Sequence, residues 1–231
     1  MDRSMKPLDV VYGSAAPGDR QRVLRNTYAL LALSMLPTVL GAWLGVVMGF
    51  SFFAGSPFIG LMVFMGVAFG FFFAIEKFKN SGLGVVLLLG FTFFMGLMLS
   101  RMLGHVLGLS NGASLIATAF GGTALVFGGM ATLASTMKRD VSSLGKWLFV
   151  GLAVMIVAAV ANIWLQMPAL YLALSAMGVV IFSAFILYDL KRIIDGGETN
   201  YVTATLSVYL SVYNLFSSLL HLLTALGGGD D

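Results

Sequence analysis

Gly82-Leu83-Gly84-Val85-Val86-Leu87-Leu88-Leu89-Gly90-Phe91-Thr92-Phe93-Phe94-Met95-Gly96-Leu97-Met98-Leu99-Ser100 runs for nineteen residues without a charge. An α-helix needs about 20 such residues to cross the hydrocarbon core of a bilayer. A membrane-spanning strand would need only about 10, with alternating polarity, and this run is continuously apolar. Further runs of the same kind lie on both sides of it. Together they predict seven spanning helices near 27–50, 57–75, 82–102, 112–135, 144–165, 169–188 and 201–226. Helices satisfy their backbone polar groups within the span, as the bilayer interior requires.

Composition agrees. Of 231 residues, 59% are hydrophobic and only 10% charged, against about 25% charged in a soluble domain. No cysteine is present, so disulfides and thiolate chemistry are excluded. Two histidines, His105 and His221, do not suffice for a His-rich metal site. The formal charge of +3 does not point to nucleic acid, because the basic residues are scattered among short loops. Their distribution sets orientation instead. With alternating spans, Arg3, Lys6, Arg20, Arg22, Arg25, Lys77, Lys79, Lys138, Arg139, Lys146, Lys191 and Arg192 fall on one side and Arg101 alone on the other. The positive-inside rule then predicts a cytoplasmic N-terminus and, after seven spans, an external C-terminus. Residues 1–25 read as a polar cytoplasmic tail and 26–231 as one transmembrane domain. The run from Thr27 is too long for a signal-peptide core and ends in no cleavage site.

Segment 7 differs from the others. Thr203, Ser207, Ser211, Asn214, Ser218 and His221 recur every three or four residues, which places them on one helical face. Such a stripe should avoid lipid, so segment 7 is predicted to lie inside the bundle. The stripe is either a hydrated path or an interhelical hydrogen-bonding face. Asp189 closes segment 6, and Asp195 and Glu198 follow it. Asp189 and Asp195 are the candidate ion- or proton-sensing groups, since burial of a carboxylate favours its protonated form; pairing with neighbouring basic residues is the structural alternative. Gly196-Gly197 supplies the turn into segment 7. Gly41, Gly45 and Gly49, and Gly66 and Gly70, form small-residue rows suited to close helix packing. Arg101, His105 and Asn162 are read as structural. No Walker motif, Schiff-base lysine in segment 7 or intramembrane-protease motif occurs. The chain therefore reads as a non-enzyme, without a cofactor.

Ile186-Leu187-Tyr188-Asp189, Gly196-Gly197-Glu198-Thr199-Asn200-Tyr201 and Ser207-Val208-Tyr209-Leu210-Ser211-Val212-Tyr213-Asn214-Leu215-Phe216 together resemble the Bax-inhibitor (TMBIM) family. Val23-Leu24-Arg25-Asn26-Thr27-Tyr28, Gly121-Gly122-Thr123-Ala124-Leu125 and Asn162-Ile163-Trp164-Leu165-Gln166-Met167-Pro168 agree. The resemblance is strongest to the bacterial YccA-like branch. It implies an all-α bundle of seven transmembrane helices, the last enclosed by the other six. It also implies a bacterial inner-membrane protein that binds the AAA+ protease FtsH and restrains degradation of membrane proteins. Arg20, Arg22 and Arg25 of the tail are then candidate partner contacts. Some relatives are pH-sensitive calcium leaks with two paired aspartates, which makes Ca2+ and H+ the alternative partners. Asp189 matches the first aspartate, but Ser211 stands where the second is expected, and segment 2 has no Arg to latch the pair.

Overall fold

The computed structural model describes residues 17–50 and 57–227; the tail before residue 17, the first connection at 51–56 and the C-terminal residues 228–231 lie outside them. Among the described residues seven helices follow one another: α1 Pro17–Val47, α2 Pro57–Phe78, α3 Gly82–Leu107, α4 Gly112–Thr136, α5 Ser142–Leu165, α6 Pro168–Ile194 and α7 Tyr201–Gly227. All seven are long and apolar enough to cross a membrane. The protein is thus an all-α, multi-span bundle.

The helix ends follow from local chemistry. Pro168 opens α6 at a position where its missing N–H costs nothing. Gly196 ends that helix at φ +83, the left-handed conformation that glycine adopts without strain. Its N–H donates to the Ile193 carbonyl at 3.1 Å, and that of Gly197 to the Arg192 carbonyl at 2.8 Å. This is the two-bond Schellman closure of a helix C-terminus. At the end of α5, Gln166 takes φ 50, and the Asn162 Oδ1 accepts the Met167 N–H at 2.9 Å. Asn162 is therefore a capping residue near a helix end rather than a residue deep in the span.

One boundary is corrected. α1 begins at Pro17, ten residues before the apolar run at Thr27, so Arg20, Arg22 and Arg25 ride on its first turns instead of on a tail ahead of it. Pro17 and Asp19 favour a helix start there, and Val23 and Leu24 already pack against the core. The polar composition hid a helix whose inner face is apolar. α6 likewise continues through Asp189, Lys191 and Arg192 to Ile194.

Packing centres on α7. It lies against α6, α4, α1 and α3 and touches α2, while α5 rests mainly on α6 from outside and α2 mainly on α3. Val202, Val208, Tyr209 and Leu215 of α7 are fully buried, with Leu88 and Phe91 of α3 and Ile186, Leu190 and Ile193 of α6 around them. Lipid is as apolar as these side chains, so close van der Waals contact and interhelical hydrogen bonds hold the helices together. The tightest seam is α1 on α3. A Cβ added at Gly41 would lie 2.2 Å from the Phe93 carbonyl oxygen, and one at Gly96 2.1 Å from that of Thr38. Gly45 faces Ser100 in the same seam, but Gly49 lies beyond the helix and meets nothing. Gly66 and Gly70 also meet nothing within 4 Å; their row faces outward and packs no neighbour among the described residues. The outer surface is apolar, as lipid demands: Leu125 is 79% exposed. Trp147 and Trp164 stand exposed near opposite ends of α5, at the depths where aromatic side chains anchor to membrane interfaces.

Candidate functional site

Asp189, Asp195 and Arg20 lie where α6 turns into α7, whereas Ser218 and His221 lie toward the opposite end of the bundle. Asp189 sits one turn before the end of α6, partly buried, and its Oδ2 accepts a hydrogen bond from the Ser211 hydroxyl at 3.1 Å. Ser211 is within reach because α6 and α7 run antiparallel through a short turn and share a long contact. Among the described residues Asp189 has no ion-pair partner.

Asp195 is placed differently. It is exposed, and its Oδ1 accepts from the buried Lys191 Nζ at 2.7 Å, one helical turn back. Asp189 and Asp195 therefore do not form a carboxylate pair, and Asp195 serves to neutralise a lysine that α6 has buried. A removed partner would leave that lysine uncompensated, which is where such pairs draw their importance.

Glu198 organises the turn. Its Oε1 accepts the N–H of Thr199 and of Asn200, each at 3.0 Å, and the Thr203 hydroxyl at 3.2 Å. Its Oε2 lies 3.5 Å from the Arg192 guanidinium. Asn200 then caps α7: its Oδ1 accepts the Val202 N–H at 2.9 Å. The same amide reaches across the molecule, donating to Asn80 Oδ1 at 2.8 Å and to the Lys79 carbonyl at 3.2 Å in the α2–α3 turn. The S/T/D/N-before-apolar-run signal marks Asn200 in the sequence; its second role as a tie between two turns depends on tertiary placement alone.

Arg20 approaches the same turn from α1. A Cβ at Gly196 would sit 2.7 Å from its Nε, so the guanidinium lies directly over the glycine. Arg22 and Arg25 are exposed. Of the three candidate partner contacts, Arg20 is thus held against the α6–α7 turn, and the other two face outward.

The polar stripe of α7 faces α6. Ser218 lies against Gly178, where a Cβ would meet its Oγ at 2.4 Å. His221 packs on Tyr171 with ring centroids 4.9 Å apart. Asn214 donates to its own helix, at the Leu210 carbonyl, 2.8 Å away. Ser207 is half-buried, and its carbonyl accepts from Ser211 at 3.1 Å. Ser211, Ser218 and His221 of the stripe thus meet α6, at Asp189, Gly178 and Tyr171. More interhelical bonds come from the other side of α7, which sequence spacing did not single out. Tyr209 Oη lies 2.9 Å from Thr38 Oγ1 of α1 and 3.4 Å from the Thr92 carbonyl of α3. Tyr213 donates to the Met95 carbonyl at 3.1 Å, and Thr205 to the Thr27 carbonyl at 3.4 Å. Such bonds contribute about 0.6 kcal/mol each on average, so together they orient α7 more than they stabilise it.

Among the described residues no group of three His, Asp or Glu is placed to hold a metal ion.

Similarity to known proteins extends along nearly the whole of this architecture. A family model described as "Inhibitor of apoptosis-promoting Bax1" matches residues 20–228. A protein of Escherichia coli K12 named "Modulator of FtsH protease YccA" is 41% identical over 202 residues, which cover 87% of this chain and 89% of that protein. The same identity and coverage, 41%, 87% and 89%, apply to a protein of Escherichia coli O6:H1 named "Inner membrane protein YccA". An uncharacterized protein of Neisseria meningitidis serogroup A is 40% identical over 224 residues, covering 96% of this chain and 99% of its own length.

Proposed function

This chain belongs to the Bax-inhibitor family, and from that membership we propose that it is an inner-membrane protein that binds the membrane-anchored AAA+ protease FtsH and restrains its degradation of membrane proteins, with no catalysis of its own. The observation that carries the reading is the 41% identity, over 87% of the chain, to a relative named as a modulator of that protease.

The geometry suggests how such a protein restrains an ATP-driven protease. The mechanism takes the chain ahead of Pro17 as the place where the enzyme grips. Behind it comes α1, which is seated on α3 through Gly41, Gly45 and Gly96 and also packs on α7 and α6. Extraction from the N-terminus therefore meets the most tightly packed seam first, and the enzyme is held on a bundle that yields slowly. The mechanism requires the N-terminus to face the cytoplasm, which the clustering of Lys and Arg at that end supports.

Tagged full-length chain recovered from native bacterial membranes in mild detergent should bring FtsH with it; recovery without FtsH would overturn the binding reading. A variant lacking residues 2–16 removes chain before α1 only and should co-purify with much less of the protease. Equal recovery would place the contact elsewhere. The calcium-leak reading has less to stand on, because a proton-sharing gate needs two carboxylates and the group bonded to Asp189 is the Ser211 hydroxyl.

A further inference from the structure

At the end of the bundle opposite the α6–α7 turn, a cavity of about 660 Å3 opens between α3, α6 and α7. Its polar lining includes Arg101 and His105 of α3, Tyr171 of α6, and Tyr213, Ser217, His221 and Thr224 of α7; Met98 and Leu99 form apolar wall deeper in the bundle. Arg101 and His105 are spaced i, i+4, so both side chains project from one face of α3. Among the described residues no Asp or Glu lines the cavity. Among the described residues Arg101 makes no ion pair. The hydroxyls of Ser217 and Thr224 donate to their own helix, to the Tyr213 and Leu220 carbonyls. The hydrogen-bond donors left for an occupant are therefore those of Arg101, His105, His221 and the Tyr171 hydroxyl.

Depth gives this arrangement a meaning. α3 has 26 residues and is about 39 Å long at 1.5 Å per residue, while the hydrocarbon core is about 30 Å thick. Arg101 stands six residues before the end of α3, about 9 Å along the axis. That depth lies near or just inside the hydrocarbon boundary. A cation there is costly unless its side chain snorkels to the interface or an anion is drawn to it. Snorkelling alone accounts for Arg101 on a bare helix face. It does not account for a cavity in which Arg101, His105 and His221 share one opening with an apolar floor.

The geometry points to a phospholipid site: the cavity takes an anionic headgroup of the phosphatidylglycerol type, with the phosphate on Arg101 and His105 and an acyl chain along Met98 and Leu99. Charge complementarity selects this occupant. The described lining is cationic and holds no acid, at the end of the bundle that carries one of the eleven Lys and Arg among the described residues, and phospholipids are the anions available at that depth. Basic pockets between transmembrane helices recognise anionic headgroups by the same chemistry. The inference rests on the membrane-spanning fold and is independent of the protease reading.

Thermal unfolding of the full-length chain in a neutral detergent tests it, with short-chain phosphatidylglycerol, phosphatidylcholine or inorganic phosphate added. Phosphatidylglycerol should raise the midpoint saturably, and the other two should not. R101A/H105A should weaken the apparent affinity by about tenfold or more, as expected for loss of charge-assisted contacts to a phosphate, and Lys146→Ala at the other end should not. A shift with phosphate equal to that with phosphatidylglycerol would make the site one for a free anion. An equal shift with phosphatidylcholine would remove charge recognition, and an unchanged R101A/H105A would remove the cavity from the argument. A shift that appears only after deletion of residues 228–231 would assign the pocket to the acidic Asp230-Asp231 tail. Should the double variant fail to fold, native mass spectrometry of the wild type decides: phosphatidylglycerol retained over phosphatidylethanolamine supports the site, and no preference overturns it.

Discussion

Single residues in this protein take their meaning from what faces them. Gly41 and Gly66 look alike in the sequence, each opening a row with the next glycine four residues on. Only the first row lies in a seam. Val at position 41 would put its Cβ 2.2 Å from a backbone oxygen, and backbone cannot swing aside as a side chain does. Gly41→Val should therefore destabilise by about 1–3 kcal/mol or more. Gly66→Ala meets open space and should be neutral or gain up to about 1 kcal/mol from helix propensity. Thermal unfolding in one detergent checks both; equal losses would contradict the seam. Asp189 and Asp195 divide in the same way. Both are acids beside a polar helix, yet one accepts from Ser211 and the other from Lys191. Sequence spacing does not separate them, because the partner each acid meets depends on where α6 ends and on what packs against it.

At the scale of elements, the turn between α6 and α7 carries the most structure. Gly196-Gly197 was legible as the turn into segment 7, and it also closes α6, which runs past Asp189 to Ile194, by a Schellman pair of bonds. Its coupling to the α2–α3 turn was not, since Asn200 meets Asn80 across 120 positions of chain. Asn200→Ala should lose the cap of α7, typically about 0.5–2 kcal/mol, and release the α2–α3 turn as well. Hydrogen exchange should then quicken at residues 79–82 as well as at 201–204. Quickening at α7 alone would show that the cross-tie contributes nothing. The opening of α1 is hidden by its composition. Four charges in seven residues from Asp19 to Arg25 resemble a tail, although Val23 and Leu24 between them face the core.

For the molecule as a whole, the charge distribution predicts which end lies inside the cell. The chain has no cysteine, so single introduced cysteines report on it directly. In intact cells an impermeant maleimide should label Ser110→Cys and spare Lys138→Cys and Lys146→Cys until the membrane is opened. The reverse pattern would invert the bundle and remove the cytoplasmic N-terminus on which the protease reading depends. The seven apolar runs, their lengths and their alternating loops follow from the sequence by itself. The cost of placing polar backbone or charge in hydrocarbon leaves one arrangement for such a chain, and that cost is local to each run. The packing order is another matter. That α1 seats on α3, that α5 rests on α6, and that the polar face of α7 meets α6 were decided only in the tertiary structure. Lipid and side chain are equally apolar, so apolarity cannot choose a helix's neighbour. Steric fit chooses it, and fit exists only once two helices meet. The seventh run was legible as a helix too polar for lipid, and its tertiary neighbours show that its shelter is protein.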